Sequence, residues 1–204
     1  LNLVMPDLSN KEKCDILSDM WWNLGRIIGE FAHVKSVMNS DRLEINGLEL
    51  VSDLGDDGCI FIGAHQANWE LIPGAARHVN RKAGIVYRGL NNPIADQILQ
   101  IRQKNLNADF FKKGTNAAMG MLKTIKSGGI LSLLIDQQLR EGRIIPFFKV
   151  PAKTPVSHIK FAAKLQVKIF PIELVRNQGC HFTMTIHPPI MVKKTPTDEE
   201  IDAV

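Results

Sequence analysis

Apolar positions follow two different rhythms along this chain. Between residues 10 and 37, Ile16, Leu17, Met20, Trp21, Leu24, Ile27, Ile28 and Phe31 recur three and four apart. That is the spacing of one helix face, and Ser9 stands where an N-cap belongs. Trp22 and Met38 look like exposed extras, open to a membrane contact or to a wide core face. Residues 42–51 alternate weakly around an Asn46-Gly47 turn signal, which predicts a short strand or hairpin. Beyond them, short apolar runs predict strands at 59–64, 83–87, 109–111, 130–135, 167–174 and 182–186. Helical periodicity predicts helices at 70–79, 94–105, 117–127 and 157–165. Strands separated by helices are βαβ units. The expected fold is therefore α/β, a mainly parallel central sheet flanked by helices, with an N-terminal helical segment and the last two strands as an antiparallel edge pair. Residues 137–155 are the one long irregular stretch, carrying Arg140, Arg143, Lys149, Lys153 and Phe147-Phe148. A loop of that length in a compact domain usually serves function.

At 204 residues the chain is long enough for one domain with a substantial core. The net charge of +4 conceals an asymmetry: residues 77–153 hold 14 Lys/Arg against 4 Asp/Glu, so the rest of the chain is net acidic. A basic middle suits nucleic acid, anionic lipid or an acidic protein. Tyr87 is the one tyrosine, and the basic positions lack interleaved aromatics for base stacking. No helix-turn-helix, RNP or zinc-finger signature is present either, which sets nucleic acid aside. The three cysteines, Cys14, Cys59 and Cys180, are odd in number and widely spaced, so neither a disulfide framework nor a metal site is expected. No run approaches the ~20 apolar residues needed to span a bilayer.

Candidate chemistry lies directly after the first predicted core strand, in His65-Gln66-Ala67-Asn68-Trp69-Glu70. Five residues on one helix would put His65 and Glu70 on different faces, so the pair can meet only across a turn. Asn68 is an N-cap candidate that supplies one, leaving His65 in the loop and Glu70 in the first turn; Pro73 leaves the helix start open. A carboxylate on Nδ1 would fix the tautomer and free Nε2 to take a proton. The bland alternative is a loop histidine satisfying backbone and a first-turn carboxylate favoured by the helix dipole. Arg88 and Asp136 also follow predicted strands. In an open α/β sheet, residues at carboxyl ends share one rim, so His65, Arg88 and Asp136 are expected to converge. Asp136 is expected to organise the basic surroundings, with Glu70 as the partner of His65. Lys112-Lys113-Gly114 is a further basic turn, and Phe147-Phe148 either lines an apolar groove or anchors a loop. No G-x-S-x-G elbow exists, which favours direct transfer over a covalent intermediate.

The H-x4-E segment, Tyr87-Arg88, Asn91-Asn92-Pro93, Asp136-Gln137 and Pro146-Phe147-Phe148, together with Asn23-Leu24-Gly25-Arg26 in a helical context, occur in an order that resembles the lauroyl/myristoyl acyltransferases of lipid A biosynthesis. The resemblance covers nearly the whole chain. It implies a glycerolphosphate-acyltransferase-like fold and transfer of a fatty acyl chain from acyl carrier protein to a hydroxyl of a lipid A precursor, without a cofactor. His65 and Glu70 would be catalytic; Arg88, Asp136, Gln137, Arg140 and Arg143 would bind substrate or support the transition state. Expected partners are acyl carrier protein, the lipid acceptor and the cytoplasmic face of a bacterial inner membrane. The related phosphatidylinositol mannoside acyltransferases also carry Glu at the motif's end and would use acyl-CoA; a noncatalytic lipid-binding protein is the third possibility. The resemblance also implies that residues 1–204 are a single-domain fragment, lacking an N-terminal membrane helix and a C-terminal segment.

Overall fold

The computed structural model describes residues 1–89, 106, 108–114 and 117–203. The predicted helix over 94–105 and the Asn91-Asn92-Pro93 turn lie outside the described residues. Helix α1 (Asn10–Glu30) starts at Ser9, whose side chain accepts from the Glu12 N–H while Glu12 reaches back to the Ser9 backbone. Such a reciprocal cap satisfies two otherwise orphaned donors. The predicted single helix is broken after Glu30, and α2 (Val34–Met38) buries Val34, Val37 and Met38. Met38 is thus a core residue, whereas Trp22 is 72% exposed.

The weak pattern near residue 46 resolves into β1 (Leu43–Asn46) followed by α3 (Leu48–Ser52), and no hairpin forms there. Gly47 between them has φ +83°, and a Cβ at that position would lie 2.3 Å from the Ile186 carbonyl oxygen. Only glycine fits both demands. Among the described residues the remaining elements are β2 (Cys59–Gly63), a 3₁₀ segment (Trp69–Gly74), α4 (Ala75–His78), β3 (Ala83–Tyr87), β4 (Ala108–Lys112), α5 (Ala117–Lys126), β5 (Ile130–Leu134), β6 (Arg143–Phe147), β7 (Val150–Thr154), α6 (Ser157–Leu165), β8 (Ile169–Arg176), β9 (Phe182–Ile186) and α7 (Asp198–Asp202).

Seven strands form one sheet in the order β1-β9-β8-β2-β5-β3-β4, all neighbouring pairs parallel except β8 with β9. The antiparallel pair exists as expected but does not form the edge, because β1 adds outside β9. All five residues of β2 are buried. Cys59 and Phe61 point into the core beneath α2, α3 and the 3₁₀ segment, while Ile60 and Ile62 join α5 and α6 on the other side. A central parallel strand covered on both faces reads as a continuous apolar run for this reason.

The stretch 137–155 is not irregular. It folds into the antiparallel hairpin β6–β7, with Phe147 paired to Val150 across a two-residue loop. Phe148 and Lys149 in that loop have φ +49° and +64°. Two left-handed central residues match the twist of a tight hairpin, but for non-glycine residues each costs roughly 1 kcal/mol.

Candidate active site

β2 and β5 are parallel neighbours, with Gly63 paired to Leu134 and the Ile135 N–H still donating to the Gly63 carbonyl at 3.1 Å. Two residues farther along each chain, the register sets His65 beside Asp136. The Asp136 carboxylate accepts from the His65 backbone N–H at 2.9 Å through Oδ2, and its Oδ1 lies 2.7 Å from Nδ1. A carboxylate there holds the ring proton on Nδ1 and leaves a lone pair on Nε2. The Gln137 side-chain nitrogen is 3.3 Å from Nε2, the geometry of an amide N–H donating to that lone pair. Trp69 closes the other side, its ring edge-on to the imidazole with centroids 4.8 Å apart.

The H-x4-E spacing predicts Glu70 on Nδ1; Asp136 occupies that nitrogen instead. Asn68 does act as the cap, accepting from the Glu70 N–H at 3.2 Å. What it starts is a 3₁₀ segment containing Pro73, and Glu70 is carried into the interior, 5% exposed. Asp136, expected to organise basic surroundings, is the carboxylate in contact with the imidazole.

A polar network between residues far apart in the sequence holds this loop. Ala67, at φ +46°, sits in the left-handed region that alanine disfavours. Its carbonyl accepts from Asn23 Nδ2 at 3.0 Å, and Asn68 Nδ2 donates to Glu30 at 2.7 Å. Glu30 in turn takes two bonds from the Arg176 guanidinium, at 2.5 and 3.1 Å. Arg176 also donates to the Gly179 carbonyl and lies 4.6 Å over the Phe182 ring. Side-chain exposure of about a tenth for Arg176 and Glu30 makes this a buried pair, whose loss of one member leaves an unpaired charge. The legible signal was Asn23 and Glu30, seven apart around Ile27 on the core-facing side of α1.

His65, Trp69 and Gln137 line a cleft of about 680 Å³ whose other walls are Met20, Trp21 and Leu24 of α1 and Leu174, Val175 and Arg176 of β8. The walls are mostly apolar, with Asn23, His65, Gln66, Gln137 and Arg176 as the polar side chains. A model of the bacterial lipid A biosynthesis acyltransferase family matches residues 1–203. The chain belongs to that family. Comparison with individual curated proteins gave no match.

Not all the residues expected to serve such an acyltransferase meet at the dyad. Arg88 is exposed at the end of β3, the sheet neighbour of the β5 strand that leads to Asp136, and among the described residues no hydrogen bond or ion pair joins it to the dyad. Arg140 is exposed, and its carbonyl accepts from Lys153 Nζ at 3.3 Å. Arg143 is bound to Asp198 at 2.6 Å and to Asp202 at 2.5 Å. Those hydrogen bonds raise its pKa, and a substrate anion would have to displace two carboxylates to reach it. Phe147 and Phe148 are more than half exposed and do not line this cleft. Cys59 is fully buried, and burial pushes its thiol up to about 12, far from a reactive thiolate. His158, on α6, is buried and pushed down to about 4 by desolvation. Among the described residues no helix is long and apolar enough to cross a membrane, and no three His, Cys, Asp or Glu side chains cluster as metal ligands.

Proposed function

We propose that this acyltransferase moves a fatty acyl chain from acyl carrier protein to a hydroxyl of a lipid A precursor by direct displacement, at the cytoplasmic face of the inner membrane. The observation that carries the reading is the His65–Asp136 pair opening onto a mainly apolar cleft. Nε2 accepts the acceptor's O–H proton as its oxygen attacks the thioester carbonyl, and Asp136 stabilises the imidazolium that forms. The tetrahedral intermediate then expels the carrier thiolate, which takes the proton from Nε2. The apolar walls from α1 and β8 suit an acyl chain, and the basic middle of the sequence suits an acidic carrier and a phosphorylated acceptor. Gln137, 3.3 Å from Nε2, must yield that nitrogen to the acceptor hydroxyl or hydrogen-bond the two together. Arg88 offers its charge to substrate phosphate at the rim.

Assays with acyl carrier protein and acyl-CoA donors, against a lipid A precursor and a mannosylated phosphoinositide, test the proposal. The expected result is product from the carrier-bound donor and the lipid A precursor, lost in His65→Ala. Product from acyl-CoA and the mannolipid alone would favour the glycolipid acyltransferases, and binding of acceptor without transfer would mark a noncatalytic lipid-binding protein.

A further inference from the structure

The hairpin β6–β7 springs from the rim that carries the dyad: β6 begins seven residues after Asp136, and the Leu139 N–H already donates to the Lys153 carbonyl at 3.0 Å. Its outward side is unusual for a surface ribbon. Ile144 and Pro146 are exposed on one strand, with Lys153 and Pro151 exposed directly opposite. At the tip, Phe147 and Phe148 are 58% and 57% exposed and rest edge-to-face on each other, with ring centroids 4.8 Å apart. Lys149 is exposed beside them. Two phenylalanines displayed on a strained turn gain nothing from the core, whereas aromatic rings beside ammonium groups match the apolar and anionic layers of a lipid surface.

We propose that the β6–β7 tip is a membrane-docking wedge: Phe147 and Phe148 enter the interfacial layer of a bilayer bearing anionic headgroups, while Lys149 and Lys153 contact those headgroups. The inference rests on the acceptor being a membrane lipid, because a wedge on the dyad's rim would bring the bilayer surface to the cleft. Net charge selects the occupant. Along residues 139–154 there are four Lys/Arg and one Asp/Glu, and although Arg143 is neutralised by α7, the tip keeps its positive excess.

The test is co-sedimentation of the chain with phosphatidylcholine vesicles made with and without phosphatidylglycerol. Wild-type protein should bind the anionic vesicles, and Phe147→Ser/Phe148→Asn should weaken that binding about tenfold. Asn suits the left-handed backbone at position 148, so the turn is retained. Lys149→Glu, a surface change that leaves the aromatics in place, should weaken binding to anionic vesicles about tenfold and leave binding to neutral vesicles unchanged. Trp21→Ser/Trp22→Ser provides the comparison, since these α1 tryptophans are also exposed. Wild-type binding retained in both hairpin variants would overturn the proposal, as would failure of the wild-type chain to bind anionic vesicles at low salt. Binding lost only in the α1 variant would overturn it too. Sedimentation reads the wedge alone, whereas transfer to detergent-dispersed acceptor reads the reaction, so either idea can fail without the other.

Discussion

His65 and Asp136 stand 71 residues apart in the chain, yet their side chains meet at 2.7 Å because β2 and β5 are parallel neighbours in matched register. If the two act as one unit, His65→Ala and Asp136→Ala should each lower turnover by about a hundredfold or more, and the double variant should be little worse than either. Multiplicative losses would show that Asp136 acts elsewhere. Steady-state rates of the three variants, each with its circular dichroism spectrum, decide the matter.

The buried network behind the loop makes a separable prediction. Removing one member of the Glu30–Arg176 pair should cost about 3 kcal/mol, since it strands a charge. Glu30→Leu/Arg176→Leu should recover part of that loss. Urea unfolding midpoints of the two single variants and the double variant supply the cycle, and additive destabilisation would mean that the pair is not coupled.

Acid should weaken the fold through His158. Its folded-state pKa, about 4, lies below its ordinary 6.5, so between those values the unfolded chain binds the extra proton. Stability is then fully present above pH 6.5 and falls as pH drops toward 4, by about 3 kcal/mol in total. His158→Phe should flatten the dependence of the urea midpoint over that window. An unchanged slope would assign the acid sensitivity to other groups.

Thiol chemistry checks the direct-transfer reading. Iodoacetamide should label exposed Cys14 in the native protein and spare Cys59 until denaturant is added. Incubation with acyl carrier protein donor alone should leave no acyl group on the protein in a denaturing mass spectrum. A stoichiometric adduct that is chased by acceptor would replace direct displacement with a covalent route and reassign His65.

Sequence alone determined the architecture wherever the physics was local. The apolar run at Cys59–Gly63, the capping residues Ser9 and Asn68, and the strand–helix alternation each encode their element through burial period or hydrogen-bond demand. The same locality located His65 at a strand end. It misassigned the partner, because Glu70 is near in sequence and Asp136 is near only once β5 lies against β2. It missed the Glu30–Arg176 pair for the same reason, and it read the β6–β7 hairpin as irregular because Phe148 and Lys149 are not turn formers. Strand order and register are global properties, set by which apolar faces pack together. They decided which carboxylate reaches Nδ1, where the cleft opens, and which of the basic residues stay exposed.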